Sequence, residues 1–317
     1  MIIKQKPSDF IVREVIKLKK ENRGKYCYVK LTKENMNTED AVAKIARILG
    51  LRRKDIGYAG SKDKHAVTEQ AISIKGVSRE RVERLRINNI KIEFLGFGNE
   101  RISLGSHEGN EFEIIVRDAE PRLKSVKEIP NYFDEQRFSR NNVEIGRLII
   151  KRNFKEAAFM LMNEYKEVKE HLSEQKNDFV GALRKLPEKI LKLYIHSYQS
   201  WLFNIMLSDY IRKNSQKTRI VPYSLGDFVF PEIRIKNKKL PLIGFQTETN
   251  EVMKKEGITN RDFIIREIPN ISAEGSERCA FAEVKDFSIE KVKEGYLLKF
   301  YLPKGSYATI VAKMVFY

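Results

Sequence analysis

Strand-like runs at both ends of this 317-residue chain enclose a helix-rich middle, and that order is what most limits its fold. Near the start, Phe10-Ile11-Val12-Arg13-Glu14-Val15 and Tyr26-Cys27-Tyr28-Val29-Lys30-Leu31 alternate with the period of strands and flank a polar turn at Lys20-Glu21-Asn22-Arg23-Gly24. The two read as a hairpin-like pair. Ala71-Ile72-Ser73-Ile74, Ile90-Lys91-Ile92-Glu93-Phe94-Leu95 and Glu111-Phe112-Glu113-Ile114-Ile115-Val116 follow, with Gly109-Asn110 reading as a turn. Near the end, Glu283-Val284-Lys285-Asp286-Phe287-Ser288-Ile289 and Tyr296-Leu297-Leu298-Lys299-Phe300-Tyr301-Leu302 are strand-like again. Between them, roughly from 143 to 212, apolar residues fall at helical spacing through Ile145, Leu148 and Ile149, then Ala157 to Met162, then Leu183 to Tyr210 with a break at Pro187. If the last strands complete the sheet begun by the first, the helical block is an insertion. The expectation is an α+β fold with a mainly antiparallel or mixed sheet, divided as residues 1–142, 143–275 and 276–317. No glycine fingerprint joins a strand to a helix in a βαβ pattern, which disfavours a dinucleotide-binding unit.

A second constraint comes from residues 38–70. Thr38 reads as an N-cap with Glu39 and Asp40 in the first helical turn, and Ala41, Val42, Ile45, Ile48 and Leu49 trace an amphipathic helix that stops at Gly50. It delivers Gly57-Tyr58-Ala59-Gly60-Ser61-Lys62-Asp63-Lys64-His65-Ala66-Val67-Thr68-Glu69-Gln70 as a loop. Asp63 follows Gly60, where backbone can approach a ligand, and lies between Lys62 and Lys64, whose charges favour an ionised carboxylate. Such a carboxylate serves as nucleophile or base. On composition alone a solvated Lys-Asp-Lys turn is the better explanation, since charged triplets in loops are ordinary.

The charge is one-sided: 60 Lys and Arg against 43 Asp and Glu, a net +17. An excess of that sign points to a polyanion, nucleic acid first. Heat-adapted surfaces also carry many charges, which accounts for their density but not their sign. Cys27 and Cys279 have no Cys or His at ligand spacing, so neither a metal site nor a disulfide framework is expected. No run approaches a membrane span and the N-terminus lacks an apolar leader, so a cytoplasmic location is expected.

Pro130-Asn131-Tyr132-Phe133-Asp134-Glu135-Gln136-Arg137-Phe138-Ser139-Arg140-Asn141-Asn142 is dense in aromatics, amides and arginines. Those types stack on unpaired bases and bond their edges, yet they also build hydrophobic clusters. His196-Ser197-Tyr198-Gln199-Ser200-Trp201-Leu202-Phe203-Asn204 reads as a helix that buries Trp201 and Phe203.

Together the loop around Asp63, the Asn131 stretch, the Gln199-to-Asn204 helix, Leu302-Pro303-Lys304-Gly305-Ser306-Tyr307-Ala308-Thr309 and the opening Lys4-Gln5-Lys6-Pro7-Ser8-Asp9-Phe10 resemble the TruD family of tRNA pseudouridine synthases. The resemblance spans residue 4 to about 314. It implies a pseudouridine-synthase catalytic domain interrupted by an inserted α/β TRUD domain, and an enzyme that turns uridine 13 of tRNA into pseudouridine with neither cofactor nor metal. It also implies that Asp63 is the catalytic aspartate and that Phe10, Asn131 and Tyr307 contact the target nucleotide; Phe133 is a further ring that can supply a stacking face. Tyr307 stands where bacterial members carry phenylalanine, which keeps a stacking face and adds a hydroxyl that needs a partner.

The chemistry breaks N1–C1′, turns the uracil and rejoins it through C5. Asp63 suits either attack on C1′ or removal of a ribose proton on the way to a glycal. Reaching the sugar carbon requires the nucleotide to be flipped out of its stack. Lys62 and Lys64 are candidate partners or phosphate contacts, and neighbours along an extended chain face opposite ways, which brings in Lys4 as a third candidate. The alternative is an RNA-binding protein without catalysis, in which Asp63 is structural.

Overall fold

A computed structural model describes residues 1–139 and 141–317; Arg140, part of the aromatic and amide stretch, lies outside the described residues. Internal contacts divide the chain into two compact units, Met1–Ile129 with Ala282–Tyr317, and Pro130–Phe281. Composition placed the boundaries at 142/143 and 275/276. The contacts place 130–139 with the helices, in whose core Phe138 is buried.

The chain opens with β1 (Phe10–Val15), β2 (Tyr26–Glu34), α1 (Thr38–Leu49), β3 (Ile56–Tyr58), β4 (Val67–Lys75), α2 (Arg79–Glu83), β5 (Ile90–Gly98) and β6 (Gly109–Val116). After β7 (Glu128–Pro130) come α3 (Asn142–Ile150), α4 (Phe154–Leu161), α5 (Lys166–Glu174), α6 (Phe179–Arg184) and the long α7 (Glu188–Asn214). Then follow β8 (Thr218–Tyr223), β9 (Gly226–Pro231), β10 (Lys239–Leu242), α8 (Glu251–Glu256) and β11 (Ser276–Cys279). The chain ends in β12 (Phe281–Glu283), β13 (Lys285–Val292), β14 (Gly295–Pro303) and α9 (Ala308–Phe316).

The first unit is an α+β fold built on an eight-stranded sheet in the order β13-β14-β6-β1-β4-β2-β5, with β3 also on β4. The terminal strands do complete the sheet, since β14 pairs antiparallel with β6 from Tyr296↔Val116 to Pro303↔Gly109. Expectation and structure part at the first pair of strands. β1 and β2 are not a hairpin: β4 lies between them, parallel to β1 and antiparallel to β2. Residues 16–25 are too long a link for a tight turn, and β4, buried at every position from Gln70 to Ile74, is the run best suited to a central place. Gly109-Asn110 opens β6 rather than turning, paired with β14, and glycine is needed there because a Cβ would stand 2.3 Å from the Leu302 carbonyl oxygen.

Against this sheet α1 buries Ala41, Val42, Ile45, Ala46 and Leu49, which pack with Cys27, Val29, Leu31, Ile56, Ile72 and Ile74. Its stop is as read: Gly50 sits at φ +65° and donates to Ala46 and Arg47. Its start is one residue earlier, at Asn37, which frees the Thr38 side chain for another task.

The second unit gathers α3 to α7 around a core of Ile145, Ile149, Leu161, Leu183, Tyr194, Ile195, Tyr198 and Leu202, closed by Met253 and Phe263. Phe203 is fully buried, whereas Trp201 is half-buried, stacked on Tyr198 at 5.9 Å with its indole N–H donating to the Leu225 carbonyl.

Candidate active site

Two short pairings on one edge of β4 decide where Asp63 sits. β1 pairs with Val67 to Glu69 and β3 with Ile72 to Ser73 and Ile74, while β2 occupies the whole opposite edge. The segment 59–66 joining β3 to β4 is therefore laid beside the start of β1.

Buried polar side chains hold its main chain. Gln70 Nε2 donates to the Gly60 carbonyl at 3.0 Å, and Thr38 Oγ1 donates to Gln70 Oε1 while accepting from Lys62 N, both at 2.9 Å. Lys33 Nζ donates to the carbonyls of Asp63 at 2.8 Å and Met36 at 2.5 Å. Thr38, Gln70 and Lys33 are each 1% exposed, so these bonds are made away from competing water. Burial pushes the Lys33 amine down to about 8, against the pull of Asp63. Gly60 leaves ordinary room for a Cβ, with His107 at 3.5 Å; it is Gly57 that has none, its Cβ falling 2.3 Å from the Ile102 carbonyl oxygen.

Lys4 reaches the Asp63 carboxylate, Nζ to Oδ2 at 2.5 Å, and lies 4.1 Å from the Phe10 ring centroid. The two side chains of the pair are 20% and 27% exposed, open enough for a substrate to meet them. Phe10, expected at the nucleotide, is 3% exposed and edge-on to Phe112, so it stands beneath Lys4 in the core. Lys4 adopts φ +58°, a left-handed conformation that costs a residue with a Cβ about 1 kcal/mol or more. The flanks that impose it both end on Arg117. Ile2 exchanges two backbone bonds with Arg117, and the Arg117 guanidinium grips the buried Asp9 carboxylate through Nη2 at 2.8 Å and Nε at 3.2 Å. That bond, chiefly, holds the Asp9 carboxyl below the usual range.

The two lysines beside Asp63 part company. Lys62 turns inward to Glu14 at 2.6 Å, the pair's side chains being 7% and 0% exposed, and burial pushes the Glu14 carboxyl up although Lys62 opposes it. Lys64 is exposed and lines a surface groove with Lys44 and Arg47 of α1.

In the second unit, Asn131-Tyr132-Phe133 alternates. Tyr132 is fully buried against Phe228, its hydroxyl bonded to Ser208 and Val229. Phe133 is half-buried, and Asn204 of α7 clamps its backbone, accepting from the N–H at 3.0 Å and donating to the carbonyl at 2.8 Å. Arg278 joins the two expected residues: it donates to the Asn131 carbonyl at 2.9 Å and to Asn131 Oδ1 at 2.5 Å, with its guanidinium carbon 4.3 Å from the Phe133 centroid. Phe203 meets Phe133 edge to face at 5.7 Å. Tyr307, in the first unit, stands half-buried just before α9, after a turn in which Gly305 takes φ +81°.

Among the described residues no group of three or more His, Cys, Asp and Glu could hold a metal, and no helix is long and apolar enough to cross a membrane. A sequence model of the family described as tRNA pseudouridine synthase D (TruD) matches residues 1–171, 161–243 and 236–315. The chain belongs to that family. It is 32% identical to the tRNA pseudouridine synthase D of Aquifex aeolicus over 381 aligned positions, covering 99% of this chain and 97% of that one. With the probable tRNA pseudouridine synthase D of Nanoarchaeum equitans it shares 32% identity, covering 100% and 98%. A crystal structure from Methanosarcina mazei, described as a tRNA pseudouridine synthase D, matches the fold with a TM-score of 0.70 at 25% identity, covering 98% and 92%.

Three side chains that hold candidate residues of this tRNA pseudouridine synthase D family member carry no motif: Lys33 and Arg117 in the first unit and Arg278 in the second. Lys33 did leave a signal, a lysine in phase with buried Cys27, Val29 and Leu31 on one face of β2. The two arginines left none, since their partners are distant in sequence.

Proposed function

We propose that this chain isomerises uridine 13 of tRNA to pseudouridine, with Asp63 as the reacting carboxylate. The observation that carries this reading is the Lys4–Asp63 ion pair, half-open to solvent on a main chain bonded by buried side chains. An ammonium on Asp63 stabilises the carboxylate form needed to attack C1′ or to remove a ribose proton. In either route N1–C1′ breaks, C5–C1′ forms, the C5 proton is lost and N1 gains one, so no outside reactant is consumed. A preset carboxylate also lowers the cost of ordering the site around a detached uracil.

To Asn131 and Phe133 we assign contacts with the target nucleotide, an amide for a polar edge and a ring for a face. Their support is the fixing of both by Arg278. Tyr307 is assigned a stacking face, and Phe10 the support of Lys4. Lys64, with Lys44 and Arg47, is assigned to phosphates. Purified protein is incubated with an unmodified tRNA transcript and pseudouridine is mapped. Product at position 13 with wild type and none with Asp63→Asn is expected; turnover that survives in Asp63→Asn would sink the reading.

A further inference from the structure

We infer that Lys33 is a positioning residue for Asp63, its buried side-chain amine holding the Asp63 carbonyl and so setting the reach of the carboxylate. The inference rests on the reading of Asp63 as the reacting group.

A lysine that is 1% exposed is costly to keep unless something uses it. Its bonds go to two main-chain oxygens, Met36 after β2 and Asp63 in the loop, which ties the loop to the β2–α1 connection. Both bonds go to carbonyl oxygens rather than to a carboxylate. Other bonds to the loop reach Ala59, Gly60, Lys62, His65 and Ala66, whereas the Lys33 bond is made to residue 63 itself. An apolar side chain there would remove the Lys33 donor from both carbonyls.

The amine is also placed to titrate, since burial brings it to about 8. The charged groups that act on it are Asp63, which favours the ammonium, and Lys62, which opposes it. Below that pH the carbonyls are held by a cation, whose hydrogen bonds are roughly twice as strong as neutral ones. Above it the charge and one of three N–H donors are gone.

The test is steady-state kinetics of Lys33→Met on the tRNA transcript, with thermal melting as a check on folding. A displacement of about 1 Å costs about a hundredfold, so kcat is expected to fall by that order while KM stays within about threefold. A folded Lys33→Met with wild-type kcat overturns the inference, and so does a KM that rises as far as kcat falls. If Lys33→Met does not fold, Lys33→Gln, which keeps an N–H donor on a shorter side chain, takes its place: a kcat that falls while KM holds supports the inference, and wild-type kcat overturns it. Asp63→Asn separates this from the reading beneath it: activity there removes the reading, whereas an inactive Asp63→Asn beside a fully active Lys33→Met removes only the inference.

Discussion

The Lys4 ammonium meets the Asp63 carboxylate at 2.5 Å across 59 residues of sequence, and the same nitrogen rests on the Phe10 ring. One cation thus links the candidate reacting group to the core of the first unit. Lys4→Met removes a charge-assisted bond worth about 1.5–3 kcal/mol, so pseudouridine formation should slow by roughly 10- to 100-fold. Because the pair is partly exposed, the melting temperature should barely move. Equal rates for Lys4→Met and wild type in a single-turnover assay would remove Lys4 from the mechanism.

Arg278 holds Asn131 by two hydrogen bonds and covers Phe133. A lysine keeps the charge but not the planar fork, so Arg278→Lys should behave much like Arg278→Ala. Each is expected to raise KM for tRNA about tenfold, with a stability loss of about 1–3 kcal/mol by denaturant titration. Recovery of wild-type KM in Arg278→Lys would show that charge, not fork geometry, matters.

What the sequence discloses here is mostly local. The buried stripe of α1, the αL stop at Gly50 and the alternation of β14 are periodic, and each can be read from a few residues. Neighbour choice is not local: nothing in Phe10 to Val15 tells that β4, not β2, will lie beside it. The candidate site residues of each unit divide the same way. Asp63 and Asn131 are legible through motif resemblance, and Lys33 through a broken alternation. Lys62, adjacent to Asp63 and the obvious cation, is taken by Glu14 because β1 brings a carboxylate into the interior beneath the loop.

That pairing separates two lysines that look alike in sequence. Lys62→Met strands Glu14 in the interior, and breaking a buried pair from one side costs about 3–5 kcal/mol, readable by urea denaturation. Lys64→Ala should leave stability within about 0.5 kcal/mol. It should instead lower the slope of log affinity against log salt by about 0.7–0.9 on tRNA, measured in the Asp63→Asn background. A salt slope that changes with Lys62 and not with Lys64 would reverse the two assignments.

Arg117 grips the segment carrying Lys4 on both sides, through its backbone at Ile2 and its guanidinium at Asp9. Asp9 is buried and its carboxyl is held below the ordinary 3.8, first by the Arg117 hydrogen bond. A carboxyl lowered on folding contributes stability that is full above its unfolded value and is lost as pH falls through the folded one. Wild type should therefore be at full strength above about pH 4 and lose this contribution on further acidification. Asp9→Asn should be less stable at pH 7 by about 1–3 kcal/mol, with a shallower decline below pH 4. Loosening this clamp also frees Lys4 from φ +58°, so the variant should lose kcat at pH 7 along with stability. Melting curves from pH 2.5 to 7, beside initial rates at pH 7, decide it. An Asp9→Asn protein whose acid profile parallels wild type would remove the ion pair as its source, and unaltered kcat would separate the clamp from the placement of Lys4.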